Sequence, residues 1–263
     1  MLLAVALPTA AVGLGVQAFV TDRVIEGPSS PSADGGDRRD GYGDDAARAV
    51  ASLWTTDASA SDSESMSTIA TAKRGRVRVH PRPGARRDTR LFVKRKGQKG
   101  PLTFLVKRQR KGWVKVLLPE RPNGSTGWVR ERELSFAQTN YRVKIELRRH
   151  RITVWQGDEI VQRAKVGLGQ SATPTPSGRY YLTELIKPPS PDGLYGAYAF
   201  SLSGFSDVVS SFNGGNGQLG LHGTVDNSGL GKNVSHGCIR VSNKVIRRLA
   251  NRLPLGTPVV VKR

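Results

Sequence analysis

The sequence predicts a mostly β protein with two small domains, and three observations lead to this prediction. The 263 residues include 30 Gly and 15 Pro but only 6% aromatic residues, a composition typical of short strands joined by many turns. From Lys73 onwards, short segments alternate apolar and polar residues with the period of two that strands require. One stretch, near the C-terminus, has clear helical periodicity instead.

The first 72 residues lack this strand pattern. Residues 1–20 are apolar and uncharged, and they resemble the core of a signal peptide or a short N-terminal anchor. We therefore expect export to the cell wall or the cell-envelope space, and the pattern leaves open whether this segment is cleaved or stays as a membrane anchor. Residues 21–72 are rich in Ser, Asp, Gly and Ala, which predicts a disordered acidic linker.

Residues 73–135 contain the first group of strands. Five alternating segments follow one another, separated by clusters of Pro, Gly and Asn: RVRVH, RLFVKR, TFLVKRQ, WVKVLLP and GWVRERE. Five short strands in about 60 residues are typical of a small β-barrel.

Residues 141–263 form the second group. Two alternating segments flank a turn at Gln156-Gly157-Asp158, and a long loop, QSATPTPSGRYYLTE, follows. Asn243–Arg252 places Val245, Ile246, Leu249 and Ala250 on one helical face, and Val259–Lys262 forms a last strand. The prediction is a β-rich sandwich with one short helix.

The charge of the chain is strongly positive. Lys and Arg total 41 against 21 acidic residues, for a formal net charge of +20, and the basic residues are concentrated between Lys73 and Arg163. Such a segment favours a polyanionic partner. The predicted export, and the lack of a helix-turn-helix, zinc-finger or RNA-binding signature, argue against nucleic acid. Anionic wall polymers or a membrane surface remain as partners. No cofactor is predicted, and the oligomeric state is left open.

Cys238 is the single cysteine, so an internal disulfide is excluded. An unpaired thiol in an oxidising compartment is a liability unless it takes part in chemistry. His222 lies sixteen residues before it and His236 two residues before it, within LHGTVDNSGLGKNVSHGCIRVSN. Thiol chemistry needs a base and oxyanion donors, and the N–H groups of Gly237 and Cys238 are candidates for these donors.

The residues alone leave three interpretations open. Cys238 is a buried thiol near two structural histidines, a zinc ligand together with His222 and His236, or the nucleophile of a Cys–His acyl-transfer site. The zinc interpretation lacks a fourth Cys or His nearby and any HExxH or CxxC motif.

The pattern His222-Gly223-Thr224, followed by Ser235-His236-Gly237-Cys238-Ile239-Arg240, resembles the signature of the L,D-transpeptidases, the YkuD-type catalytic domain. The resemblance extends over residues 141–263 and includes TPTPSGRYYL and LPLGTPVVV. The stretch GWVKVLLPERPNGSTGWVRERELS resembles a bacterial SH3-like domain. The expected fold is therefore mostly β: a small SH3-like barrel at 73–135, followed by a β-sandwich L,D-transpeptidase catalytic domain with a short helix at 141–263.

This resemblance implies a role for each motif residue. Cys238 is the nucleophile and His222 its base, oriented by the backbone carbonyl of Gly223. The N–H groups of Gly237 and Cys238 form the oxyanion hole. A nearby imidazolium is expected to lower the pKa of the thiol.

The resemblance also implies supporting residues. Ser235 and His236 shape the pocket around the nucleophile. Arg240 and Asn243 are implied to bind substrate, and a purely structural salt bridge or loop anchor is the alternative for Arg240.

The implied reaction starts from a peptidoglycan stem tetrapeptide. Cys238 attacks the carbonyl of the third residue, a diamino acid, and D-Ala leaves. The amine of a second stem then resolves the thioester to a 3→3 crosslink. Water as acceptor makes the protein an L,D-carboxypeptidase, and a non-catalytic wall-binding protein is the further alternative. Acylation of Cys238 by carbapenems is a hypothesis from the same resemblance.

Overall fold

The computed structural model describes residues 66–95, 97–211 and 214–263. The predicted signal peptide or anchor, residues 1–20, and the predicted linker up to residue 65 lie outside the described residues. Within the described part, no helix is long and apolar enough to cross a membrane.

Residues 67–139 form a unit that we call the N-terminal β unit. Its strands are β1 Ser67–Ala72, β2 Arg76–Val79, β3 Arg90–Val93, β4 Thr103–Arg110, β5 Trp113–Leu117, β6 Thr126–Arg130 and β7 Leu134–Thr139. Five of them make an antiparallel sheet in the order β6-β5-β4-β1-β7, and β2 and β3 pair as a hairpin. All five segments predicted as strands are present. Their inward-facing residues, among them Phe104, Val114 and Val129, form a separate apolar core.

Strand β1 lies inside the stretch 21–72 that the sequence assigned to the linker. It is a central strand, because it pairs with β4 on one side and with β7 on the other. Its sequence, STIATA, is built from small and hydroxyl residues and carries little apolar alternation. Ile69, Ala70 and Ala72 are buried by the neighbouring strands, so tertiary pairing decides the structure of this segment.

Residues 141–263 form the C-terminal β unit. Its strands are β8 Tyr141–Glu146, β9 Arg151–Gln156, β10 Glu159–Lys165, β11 Leu168–Gly169, β12 Gly178–Ile186, β13 Ala199–Phe205, β14 Gln218–Thr224, β15 Asn233–Ser235, β16 Ile239–Ser242 and β17 Pro258–Lys262. Eight of them form one mixed sheet in the order β10-β9-β8-β17-β12-β13-β14-β16, and β11 pairs with β15. The helix α1 spans Asn243–Ala250.

This sheet curls round a single core. The segment that follows β10 returns to the opposite end of the sheet, where the N–H groups of Gly167 and Arg240 each bond to the other residue's carbonyl at 2.9 Å. Residues of β8 and β9 at one end and of β14 and β16 at the other belong to the same buried cluster. The unit is therefore mostly β with a sandwich-like or barrel-like fold, as predicted.

The short helix closes one side of that core. Ser242 caps it, since its Oγ accepts a hydrogen bond from Val245 N at 3.3 Å. Ile246 and Leu249 are the buried residues of its inner face. The helix predicted over Asn243–Arg252 is thus confirmed, two residues shorter at its end.

The two β units are fixed against each other. Tyr181 of β12 packs with Leu105 and Leu117 of the N-terminal β unit. The side chain of Asn123 accepts from Phe205 N at 2.8 Å and donates to Phe205 O at 2.7 Å. The described residues accordingly belong to one compact unit, and the N-terminal β unit is positioned to contribute to sites on the C-terminal one.

Candidate active site

The register of two parallel strands brings the predicted residues onto one face of the sheet. Leu221 of β14 lies opposite Ile239 of β16, and His222 lies opposite Arg240. Leu221 and Ile239 are fully buried in the core. Because side chains alternate along a strand, His222 and Arg240 face away from that core, and so does Cys238, one residue before Ile239.

Cys238 and His222 both lie next to Gly220. A Cβ at Gly220 would lie 3.6 Å from Cys238 Sγ and 3.9 Å from His222 Cδ2. The missing side chain of this glycine leaves the space in which a carbonyl carbon can approach the sulfur. Gly220 was not identified from the sequence, because its importance follows from strand register alone.

His222 is held as a neutral imidazole. It is 2% exposed, and this burial lowers its pKa to about 4, with the positive charge of Arg240 acting in the same direction. Its Nδ1 lies 2.8 Å from Gly223 O. A carbonyl can only accept, so Nδ1 carries the proton and Nε2 has a free lone pair.

The pKa of the Cys238 thiol is shifted in the direction opposite to the expected one. Burial raises the pKa of the Cys238 thiol, and a backbone hydrogen bond at Gly220 and the charge of Arg240 offset this only in part. With His222 neutral, the pair rests as thiol and imidazole. A neutral His222 does not supply the imidazolium that was expected to lower the pKa of the thiol, so attack by Cys238 needs a base that takes its proton.

The loop Ser235–Cys238 is closed by the side chain of its first residue. Ser235 is buried, and its Oγ donates to Cys238 O at 2.6 Å and accepts from Gly237 N at 3.2 Å. Gly237 has φ 115°, a conformation that favours glycine. The Gly237 N–H is thus engaged with Ser235 in this structure, and the roles of the Gly237 and Cys238 N–H groups as oxyanion donors stay predictions.

A second loop supports this one from behind. Thr175 is buried, and its Oγ1 donates to Gly237 O at 2.9 Å and accepts from Gly169 N at 2.9 Å. Gln170 N bonds Ser235 O at 2.9 Å. The TPTPSG stretch, seen in the sequence only as a family-like motif, thus holds the backbone of the loop that leads into Cys238.

Asn243 holds a loop next to the candidate site. Its Oδ1 accepts from Ala197 N at 2.8 Å, and its Nδ2 donates to Pro191 O at 3.0 Å. A Cβ on Gly223 would overlap Asn243 Oδ1, so the glycine beside the base is also needed for this anchor. Both ends of the Asn243 amide are thus occupied in this structure, which indicates a positioning role, and its predicted contact with substrate stays a prediction.

The anchored loop covers the base. The ring of Tyr195 packs edge-on against the imidazole of His222, with 5.3 Å between ring centroids and an interplanar angle of 78°. This contact contributes to the exclusion of water from His222. Tyr195 carried no recognisable pattern in the sequence, because an isolated tyrosine in a loop has no periodicity.

Arg240 and His236 line the opening beside the nucleophile. Arg240 Nε is buried and has no hydrogen-bond partner among the described residues. His236 is exposed at the turn of the Ser235–Cys238 loop. Both residues border the same cleft as Cys238.

This cleft has a volume of about 550 Å³ and runs from Cys238 to the N-terminal β unit, a size within the usual range of ligand sites. Its far wall includes Arg95, Glu184 and Gln218. The sequence analysis did not identify these three residues, which come from two different domains.

Metal binding has no support in the described part of the chain. No group of three or more His, Cys, Asp or Glu side chains there could hold a metal ion. The three residues considered for zinc do not form such a group.

The C-terminal β unit is similar in sequence to known proteins. Residues 140–261 match the family model of the L,D-transpeptidase catalytic domain, YkuD. The predicted resemblance is thereby confirmed for the C-terminal β unit, and the matched residues do not include the N-terminal β unit.

Individual relatives agree with the family model. The chain is 32% identical over 121 residues to a candidate L,D-transpeptidase YkuD of Bacillus licheniformis, covering 46% of this chain and 65% of that protein. It is 30% identical over 123 residues to the corresponding protein of Bacillus subtilis, covering 47% and 66%. The chain thus spans just under two thirds of the length of both relatives. The crystal structure of L,D-transpeptidase 3 from Mycobacterium tuberculosis aligns at 20% identity and a TM-score of 0.39, over 55% of this chain and 77% of that one.

Proposed function

We propose, from the premise that residues 140–261 are a YkuD-type L,D-transpeptidase catalytic domain, that the whole chain is a cysteine acyltransferase of peptidoglycan. Its donor is a stem tetrapeptide, its leaving group is D-Ala, and its product is a 3→3 crosslink. One observation carries the proposal: a neutral, buried His222, oriented by Gly223 O, shares the space above Gly220 with the thiol of Cys238.

The first half-reaction forms a thioester. As Cys238 Sγ attacks the carbonyl carbon of the third residue, His222 Nε2 takes the thiol proton. The oxyanion that develops accepts a hydrogen bond from Cys238 N–H. The bond between the carbonyl carbon and the D-Ala nitrogen then breaks, and the imidazolium returns the proton to the departing amine.

The second half-reaction reverses these roles. The side-chain amine of another stem attacks the thioester while His222 Nε2 takes its proton. The C–S bond breaks and the sulfur regains a proton from the imidazolium. Water in place of the amine gives a tripeptide, so the same residues support an L,D-carboxypeptidase.

Arg240 binds the carboxylate of the departing D-Ala. It lies opposite His222 in the strand register, and its Nε is buried and unpartnered among the described residues. A buried guanidinium N–H that lacks a partner is strongly stabilised by a hydrogen bond to an incoming carboxylate.

The test is a muropeptide assay with the full chain and its Cys238→Ala variant. Disaccharide-tetrapeptide is incubated with each protein and the products are followed by mass spectrometry. A dimer that has lost one D-Ala, absent with the variant, establishes the transpeptidase. Tripeptide alone establishes the carboxypeptidase, and unchanged muropeptides with a thiol inert to alkylation favour the wall-binding protein.

Carbapenem acylation of Cys238 belongs to the same proposal. Intact-mass spectra of the folded, reduced protein are expected to gain the mass of one carbapenem, and the Cys238→Ala variant is expected to gain none. A wild-type protein that forms no adduct would contradict this part.

The N-terminal β unit is proposed to be an SH3-like domain that docks on an anionic wall polymer. It has its own core, and the β4–β5 hairpin exposes Lys107, Arg108, Arg110 and Lys111 together. Export through residues 1–20 places the chain in the same compartment as such polymers. Binding to purified sacculi should weaken between low and high salt, and salt-independent binding would count against this docking.

A further inference from the structure

We propose that the N-terminal β unit completes the substrate cleft, with Arg95 binding a second carboxylate of the donor stem peptide, the one at the end of the diamino acid side chain. This inference rests on the proposed function and adds a specificity-determining residue to it. It starts from the position of the loop that joins β3 to β4, of which the structure describes residues 94–95 and 97–100.

The loop is tied to the C-terminal β unit at two points. Lys99 N donates to Glu184 Oε1 at 2.6 Å, and Glu184 is only 7% exposed. Arg95 donates from its guanidinium to Gln218 Oε1 at 2.6 Å. These bonds hold Arg95 on the wall of the cleft that contains Cys238.

The strand register fixes where Arg95 lies relative to the nucleophile. Gln218 and Gly220 are alternate residues of β14 and share a face, about 7 Å apart along the strand. Cys238 is level with Gly220, since Leu221 lies opposite the following residue, Ile239. Arg240 lies two residues after Cys238, opposite His222 and therefore on the side away from Gln218. The cleft thus has a guanidinium group on each side of the thiol.

A stem peptide matches this spacing of charges. The carboxylate of the departing D-Ala lies on the Arg240 side of the scissile bond. When the diamino acid is diaminopimelate, its side chain carries a second carboxylate whose carbon is five bonds from the Cα, an extended reach of about 7.5 Å from the reacting carbonyl carbon. With the side chain extended along β14, this carboxylate reaches the position of Gln218, where Arg95 lies.

The present partner of Arg95 leaves its charge available. Gln218 Oε1 is a neutral amide oxygen, and the ion pairs of the described residues do not include Arg95. Arg95 is also exposed at the cleft wall, so its other N–H groups can form a charge-assisted pair with a carboxylate.

Binding to full-length protein with Cys238→Ala tests the proposal without turnover. The probes are two tetrapeptides, L-Ala-γ-D-Glu-diaminopimelyl-D-Ala with the side-chain carboxylate free or amidated, titrated by calorimetry. We expect Arg95→Gln to weaken binding of the free acid roughly tenfold or more, with little change for the amide. Arg95→Lys should fall between, and Arg87→Gln, an exposed arginine outside the cleft lining, should match the parent protein.

The results separate this inference from the proposed function. Any of three results would overturn the role of Arg95. The parent protein binds the acid and the amide with equal affinity, Arg95→Gln still prefers the acid to the amide as strongly as the parent does, or neither peptide binds. Failure of the wild-type chain to release D-Ala overturns the proposed function, whatever the binding data show about Arg95.

Discussion

Replacing His222 by glutamine should remove a large acid-sensitive contribution to the stability of the protein. Burial holds the pKa of His222 at about 4, against about 6.5 in an unfolded chain. Between these two values the unfolded state binds the proton and the folded state does not. The stabilisation is therefore fully present above pH 6.5 and is lost as the pH falls towards 4.

The magnitude follows from the two pKa values. Between pH 7 and pH 4.5, proton linkage at this one site lowers the free energy of unfolding by about 2 kcal/mol. His222→Gln has no such proton to bind. The variant should be less stable than wild type at pH 7, because it loses the fitted imidazole, but its loss of stability on acidification should be smaller by about 2 kcal/mol.

Urea unfolding followed by tryptophan fluorescence at pH 7 and pH 4.5 measures this difference. Carboxylates titrate equally in both proteins, so their contribution cancels when the two pH dependences are subtracted. His236→Gln, which changes another histidine that lines the same cleft but is exposed to solvent, is measured beside His222→Gln as a matched control.

An equal loss of stability in wild type and His222→Gln would refute the reasoning. It would mean that the imidazole is protonated as readily in the folded as in the unfolded state. The neutral-base mechanism would then have to give way to a preformed thiolate–imidazolium pair.

Three other predictions follow from the same geometry. Because burial raises the pKa of the Cys238 thiol, the rate of its alkylation by iodoacetamide should rise steadily with pH up to and beyond pH 8.5. A rate that is already constant from pH 5 to 8 would instead indicate a thiolate–imidazolium ion pair. Ser235→Ala leaves the buried Gly237 N–H without its partner, which should cost roughly 1–3 kcal/mol in urea unfolding and slow that alkylation; unchanged stability would contradict the role of this hydroxyl. Arg121 donates hydrogen bonds to the carbonyls of Ser206, Val209 and Asn216. Arg121→Ala should therefore speed limited proteolysis within residues 206–217. A cleavage rate equal to that of the control variant Arg87→Ala would show that these hydrogen bonds are dispensable.

Local pattern was sufficient for much of the fold and for the central chemistry. The alternating segments of the N-terminal β unit, the turn at Gln156-Gly157-Asp158 and the helix from Asn243 each depend on a few neighbouring residues, so each was visible in the sequence. The His222 and Cys238 pair was visible because the motif fixes residue types at constrained spacing.

The sequence predictions that differ from the structure depend on partners distant in the chain. Strand β1 was assigned to the linker because its pairing with β4 and β7 has no local signature. Asn243 was expected to contact substrate, and its anchoring of the loop that ends at Ala197 was missed for the same reason.

The sequence by itself determined which groups are present for catalysis. They are one thiol, a histidine at a fixed spacing from it along the chain, and glycines whose lack of a side chain leaves the backbone between them accessible. Tertiary structure decided how these groups behave. The pKa of His222 is set by burial under Tyr195 and by the charge of Arg240, and the far wall of the cleft comes from a loop of the other β unit. Desolvation and the approach of distant strands arise only when the chain is folded, so the candidate nucleophile could be chosen from the sequence, whereas the surroundings that shift its pKa and the shape of its cleft could not.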